Sequence, residues 1–381
     1  MRVLIAPTAF KGSLSPLEVA QAMQSGVQLF CTKYNADILT DILPLADGGD
    51  GTVESIYAAC GGTLMHVNVI GAFNEERHAV WLLGDNIAFV ELASASGISG
   101  WNKEQLRPLD AHTKGLGQVI RDVVDKAQAQ TIVITLGGSA STDGGIGALA
   151  VLGAKFFDDQ GQIVDPIGGR CLARIRSCDL TECKALLQKH KFIVATDVEN
   201  PLLGPLGAAH IFGPQKNCSL EDIDLLDRSL AQFADVIELA GQSKGARDKP
   251  GAGAAGGTAF GLSVALNADI VSGFDYLSNL LDLNNRFEKA DLVFTGEGLI
   301  DLSTLSGKAV GSLQKLAKQF GTPLWAFSAA TVSENDSLLS SSFDKLISIA
   351  RPGEYADERS IADCVFRELD KHFGNAAGHQ T

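Results

Sequence analysis

Little in this 381-residue sequence is basic, and nothing in it is both long and apolar. Lys and Arg number 31 against 45 Asp and Glu, a formal net charge of −14. That is the wrong sign for a generic binder of nucleic acid or of an anionic membrane. No run approaches the ~20 apolar residues of a membrane span. The opening MRVLIAPTAFKGS has an apolar stretch shorter than the ~7–15 residues a signal peptide needs, and it reads as a first core strand. Cys31, Cys60, Cys171, Cys178, Cys183, Cys218 and Cys364 are scattered, with no CxxC pair and no HxxxH partner. Neither a disulfide framework nor a zinc site is encoded by such spacing. The expectation is a cytoplasmic protein with reduced thiols, without nucleic acid or membrane among its partners.

Glycine is what the sequence has in excess, with 41 residues against an ordinary share of ~7%. The glycines cluster after apolar runs. Residues 3–7 (VLIAP) read as a strand covered on both faces, and Ser15-Pro16 then offers a helix N-cap with proline at the first helical position. A second strand near Ile38–Leu45 leads into ADGGDGT. Three β-rich runs over 63–93 (TLMHVNVI, RHAVWLL, NIAFVELA) predict an antiparallel meander. TIVITLGG and FIVATD follow as strands, an acidic helix is expected over 219–240, and QSKGARDKPGAGAAGGT reads as a long small-residue loop. DLVFTG, PLWAFSA and KLISIA restore a β/α alternation near the carboxyl end, and the residues after His372 read as a frayed tail. The fold class expected is α/β. A doubly wound parallel sheet built from residues 1–64 and 266–381 would be interrupted by a mixed α/β domain over 65–265.

In open α/β sheets ligands bind beyond the carboxyl ends of the strands, so the residues that follow each strand carry the functional signal. They are FKGS, ADGGDGT, GGSASTDGG, DVENPLLGP and GEGLIDLSTLSGK. Glycine permits positive φ and close backbone approach, and consecutive amides can then face an anion. The acidic residues at these ends are Asp47, Asp50, Asp143, Asp197, Glu297 and Asp301. Magnesium is usually held by one or two such carboxylates together with phosphate oxygens and water. Lys11, Lys216 and Lys308 are the lysines placed to offset phosphate or substrate charge. Together these residues suit phosphoryl transfer, which needs positioning, charge neutralisation and a base. A dinucleotide-dependent oxidoreductase is the rival on fold grounds, yet TAFKGS stands where GxGxxG would be required, and PGAGAAGG lacks the lysine of a Walker loop.

Seven motifs occur in order over about 300 residues: APTAFKGSLSPLEVA, PLADGGDGT, ELASASG, GGSASTDGGIG, DVENPLLGPLGAAHIFGPQK, PGAGAAGGTAFGL and DLVFTGEGLIDLSTLSGK. Together they resemble the bacterial glycerate kinase family, the two-domain type also described as glycerate 2-kinase. The resemblance implies ATP-dependent phosphorylation of D-glycerate. It also implies a flavodoxin-like domain interrupted by a domain resembling restriction-endonuclease cores, with the active site in the cleft between them. By the placement of these motifs, Asp197 is the expected base, Asp47 and Lys11 join it as catalytic candidates, and Asp47, Asp197 and Glu297 are the expected Mg2+ ligands. Substrate or phosphate binding falls to Ser13, Gly48, Gly49, Asp50, Gly137, Gly138, Ser139, Asp143, Asn200, Gly296 and Lys308. Three positions depart from the family pattern. Thr142 and Ser303 stand where it usually has Asn and Gln, and Ser328-Ala329 replaces an Ala-Gly pair. The alternative reading is a kinase or a binding-only relative for another small hydroxy acid.

Overall fold

The computed structural model describes residues 1–377 apart from 11–12, 47, 187, 306–308, 331–336 and 351–355. Its strands begin with β1 (Arg2–Ile5), β2 (Leu39–Ile42), β3 (Thr63–Ile70), β4 (Glu76–Leu83), β5 (Ile87–Glu91), β6 (Thr131–Thr135) and β7 (Lys155–Phe157). They continue as β8 (Ser177–Asp179), β9 (Lys191–Ala195), β10 (Asp269–Val271), β11 (Leu292–Glu297), β12 (Leu324–Ser328) and β13 (Lys345–Ser348). The chain divides into two compact units. The first holds Met1–Asp47, Glu54–Gly61 and Phe274–Thr381; the second holds Gly48–Val53 and Gly62–Gly273.

In the first unit every strand pair is parallel, in the order β13-β12-β11-β1-β2. Counted along this unit's own chain, that is the 2-1-3-4-5 order of flavodoxin-like sheets. Helix Pro16–Tyr34 starts where the sequence signals it should. Ser15 Oγ accepts from the Glu18 amide at 3.3 Å, and the Glu18 carboxylate accepts from the Ser15 amide at 2.7 Å. A Cβ at Gly26 would lie 2.5 Å from the Ala362 carbonyl oxygen, so this helix and helix Glu358–Ala377 cross at a glycine. The last helix runs on past His372, where a frayed tail was expected. Its Phe373 stacks on Trp325, with 6.2 Å between ring centroids, and that packing favours the extra turn.

The second unit is a mixed sheet, β10-β9-β6-β5-β4-β3. β3, β4 and β5 pair antiparallel as the meander pattern predicts, and β5, β6, β9 and β10 pair in parallel. β7 and β8 form a separate antiparallel pair. Trp81, Phe156, Phe192, Phe233 and Phe260 are buried in the core of this unit. The fold class is α/β, with one parallel and one mixed sheet. Among the described residues no helix is long and apolar enough to cross a membrane.

The small-residue segment before Phe260 differs from the loop expected. A short turn at Ala246–Asp248 is followed by helix Ala254–Ala265, and the residues of that helix are almost all buried. Ala255, Gly256 and Gly257 take φ of +51°, +64° and +85° within it. A Cβ at Gly256 would lie 2.2 Å from the Ser141 carbonyl oxygen, and one at Gly261 would lie 2.1 Å from that of Gly144. The small residues therefore serve close backbone packing against the STDGG turn rather than flexibility.

Candidate active site

Two glycine loops of the second unit are joined through their backbones. The Gly137 amide donates to the Gly48 carbonyl at 2.8 Å. A Cβ at Gly137 would lie 2.3 Å from Gly49 Cα, so no larger residue fits. Gly48, Gly51 and Gly138 take φ of +80°, +85° and +67°, the left-handed region that favours glycine. Asp50 and Gly138 are exposed, with the Asp50 Oδ2 atom 3.9 Å from where a Cβ on Gly138 would be. The structure thus brings Gly48, Gly49, Asp50, Gly137, Gly138 and Ser139 into one neighbourhood. Positive-φ turns of this kind turn amides toward a common point, the basis of anion cradles.

Behind that neighbourhood sits a buried cation. Lys216 is 1% exposed and follows Pro214 in a short turn that carries it inward. Its Nζ donates to Ser139 Oγ at 3.0 Å, to the Ser141 carbonyl, and to Thr142 Oγ1 at 3.4 Å. Burial pulls its pKa down to about 8, against the opposing influence of Cys218 and Asp143. Asp143 itself is fully buried and accepts from the Thr113 amide and hydroxyl and from the Gly145 and Gly147 amides, at 2.8–3.3 Å. Its carboxylate is consumed in holding the turn together. The departure at Thr142 thus places a hydroxyl on the buried lysine.

Glu91 was not among the residues the sequence singled out, although it opens the ELASASG motif. It ends β5, and its two carboxylate oxygens accept from the Gly51 amide at 3.3 Å and the Val53 amide at 3.1 Å. Burial raises its pKa to about 7, and the neighbouring Asp50 charge adds to the rise against the pull of those amides. A glutamate ending a strand just before a small-residue helix was the only available signal. Its function is to tie β5 to the DGGDGT loop.

Asp197 lies two residues past the end of β9 and is half-buried. Ser272 Oγ donates to its Oδ1 at 3.2 Å, and a Cβ at Gly273 would lie 3.2 Å from its Oδ2. Asn200 lies three residues further on, but its side chain turns to the Leu206 carbonyl at 2.8 Å and its own carbonyl accepts from the Gly253 amide at 2.9 Å. That geometry closes the DVENPLLGP loop on itself.

In the first unit, Gly296 sits in β11 because a Cβ there would lie 2.8 Å from the Phe327 carbonyl oxygen. Glu297 ends the strand and accepts from Thr304 Oγ1 at 3.0 Å. The Asp301 amide donates to the same hydroxyl at 3.1 Å. Ser328, the third departure, is fully buried and accepts from the Ile300 amide at 3.3 Å, pinning the loop after Glu297. Ser13 is exposed and donates to the Phe10 carbonyl at 3.0 Å. Lys11, Asp47 and Lys308 lie outside the described residues.

Hard carboxylate oxygens of the Asp197 and Glu297 type suit magnesium. Among the described residues no three His, Cys, Asp or Glu side chains converge on a metal position. Each unit thus offers a hard carboxylate, Asp197 in the second and Glu297 in the first, of the kind that adds to an ion held largely by phosphate oxygens and water.

The fold is α/β, and in its second unit two glycine turns are joined through their backbones beside the buried Lys216. The chain matches the model of the Glycerate kinase family over residues 3–364. It is 38% identical over 355 residues to the glycerate kinase of Bacillus subtilis (strain 168), covering 93% of this chain and 91% of that one. It is 38% identical over 326 residues to the glycerate 2-kinase of Escherichia coli (strain K12), covering 85% and 84%. A crystal structure from Salmonella typhimurium LT2, provisionally named glycerate kinase 2, superposes with a TM-score of 0.82 at 33% identity, covering 100% of this chain and 99% of that one. This chain belongs to the glycerate kinase family.

Proposed function

We propose that the protein transfers the γ-phosphoryl group of ATP to D-glycerate, giving 2-phosphoglycerate or 3-phosphoglycerate. The observation that carries this reading is the joined pair of glycine turns at Gly48–Gly51 and Gly137–Ser139, in a chain that matches its family nearly end to end. The substrate hydroxyl oxygen forms the new bond to phosphorus while the bond to the β,γ-bridging oxygen breaks, and ADP keeps that electron pair. Asp197 accepts the hydroxyl proton. Magnesium, when bound, supplies charge neutralisation on the phosphates, with Asp47, Asp197 and Glu297 as the carboxylates suited to hold it. Lys11 and Ser13 bind the substrate carboxylate or the transferring phosphate, Lys308 adds positive charge, and the amides around Gly48, Gly49, Gly137, Gly138 and Gly296 orient the anions. A cytoplasmic setting accords with seven free cysteines.

Coupled measurement of ATP turnover with D-glycerate and Mg2+ tests the activity, and ³¹P NMR of the product distinguishes attack by oxygen 2 from attack by oxygen 3. Asp197→Asn is expected to lower kcat by about 10²–10⁴, the usual contribution of a positioned base. A fall of less than about tenfold, under ~1.4 kcal/mol of barrier, removes Asp197 from that role.

A further inference from the structure

Lys216 spends its three N–H groups on Ser139 Oγ, the Ser141 carbonyl and Thr142 Oγ1. None is left for a ligand. A hydroxyl oxygen that accepts from an ammonium directs its own hydrogen elsewhere, and the positive charge makes that hydrogen a stronger donor. Ser139 therefore carries a polarised O–H next to the exposed, positive-φ Gly138. A buried cation is costly unless it is compensated. Among the described residues no carboxylate lies within ion-pair distance of Lys216. The Asp143 charge reaches it only through space while its oxygens serve Thr113, Gly145 and Gly147, and the neighbouring Cys218 thiol is held neutral by burial. In the same turn, Ser141 Oγ is buried without a hydrogen-bond partner among the described residues. A buried ammonium thus lies directly behind Ser139 in a chain of net charge −14.

We propose that Lys216 is a positioning residue for an anionic oxygen group, the carboxylate of the acid substrate or a phosphate of the nucleotide. It holds that group through the Ser139 hydroxyl and never touches it. The identity of the two ligands rests on the kinase reading above, whereas the relay needs one of them to bind and does not need turnover.

Calorimetric titration of the full chain with D-glycerate alone and with MgADP alone separates the two sources, and steady-state kinetics accompany it. Ser139→Ala is expected to weaken one ligand about tenfold, leave the other within twofold, and raise KM for the affected substrate more than it lowers kcat. Lys216→Met is expected to weaken the same ligand at least as much. The double variant should be no weaker than Lys216→Met alone, because both changes cut one chain of hydrogen bonds. Effects that multiply, or a Ser139→Ala protein that binds both ligands as the wild type does, overturn the proposal. If Lys216→Met fails to fold, the Ser139→Ala titrations decide alone. Wild-type binding without turnover defeats the kinase reading and leaves the relay standing, whereas wild-type binding of neither ligand defeats the relay.

Discussion

Glu91 shows how a single side chain here carries a pH dependence. Its carboxyl is pushed up to about 7 in the folded protein, from an ordinary value of 4.5. The unfolded chain therefore loses this proton first as pH rises, and the stability contribution falls between about pH 4.5 and 7, staying low above that. The size is of order 3 kcal/mol. Glu91→Gln has no charge to bury, so its Tm relative to wild type should improve from pH 5 to about pH 7 and then level off up to pH 8. Thermal melts across that range check the prediction, and parallel pH profiles for the two proteins would contradict it. Neither Glu91 nor the inward turn of Lys216 was legible beforehand. Both side chains usually sit in water, and only their packing against loops distant in sequence shows otherwise.

At the scale of elements, the strand ends were largely legible and the small-residue segment was not. β1, β6, β9, β11 and β12 appear where short apolar runs stop at glycine or a polar residue, because a strand buried on both faces leaves an unmistakable pattern. The segment around Gly256 has no periodicity to read, since it is chosen for what approaches it. Gly256→Ala adds a Cβ that would sit 2.2 Å from the Ser141 carbonyl oxygen, at a φ of +64°. The expected cost is at least ~2 kcal/mol, combining strain in the left-handed region with a backbone clash. Urea unfolding measures it, and a loss below about 0.5 kcal/mol would mean the segment yields more easily than its packing suggests. The same variant should weaken ligand binding, because the STDGG turn it displaces is the one Lys216 holds.

For the whole molecule, the net charge of −14 sets the background against which any anion must be bound. Binding then has to come from local features such as the paired glycine turns and buried ammonium rather than from the general field. D-glycerate and MgATP, each supplied at about a hundred times its Kd, should each stabilise the fold by ~2.7 kcal/mol. A thermal shift assay reads this directly. A shift with both ligands but no ATP consumption would favour the binding-only relative that the hydroxyls at Thr142 and Ser303 leave as the alternative.

The sequence by itself determined the α/β class, the parallel strands, the antiparallel meander and the glycine-rich ends of the strands. Each of these is written in local patterns of apolar residues and turn chemistry. Only the tertiary structure decided which candidate residues are spent on the scaffold, as Asp143 and Asn200 are, and which hidden ones back the site, as Lys216 and Glu91 do. The reason is that burial and hydrogen-bond partnership depend on residues far apart in the chain. A charged side chain has the same letter whether it faces water or lies beneath a loop.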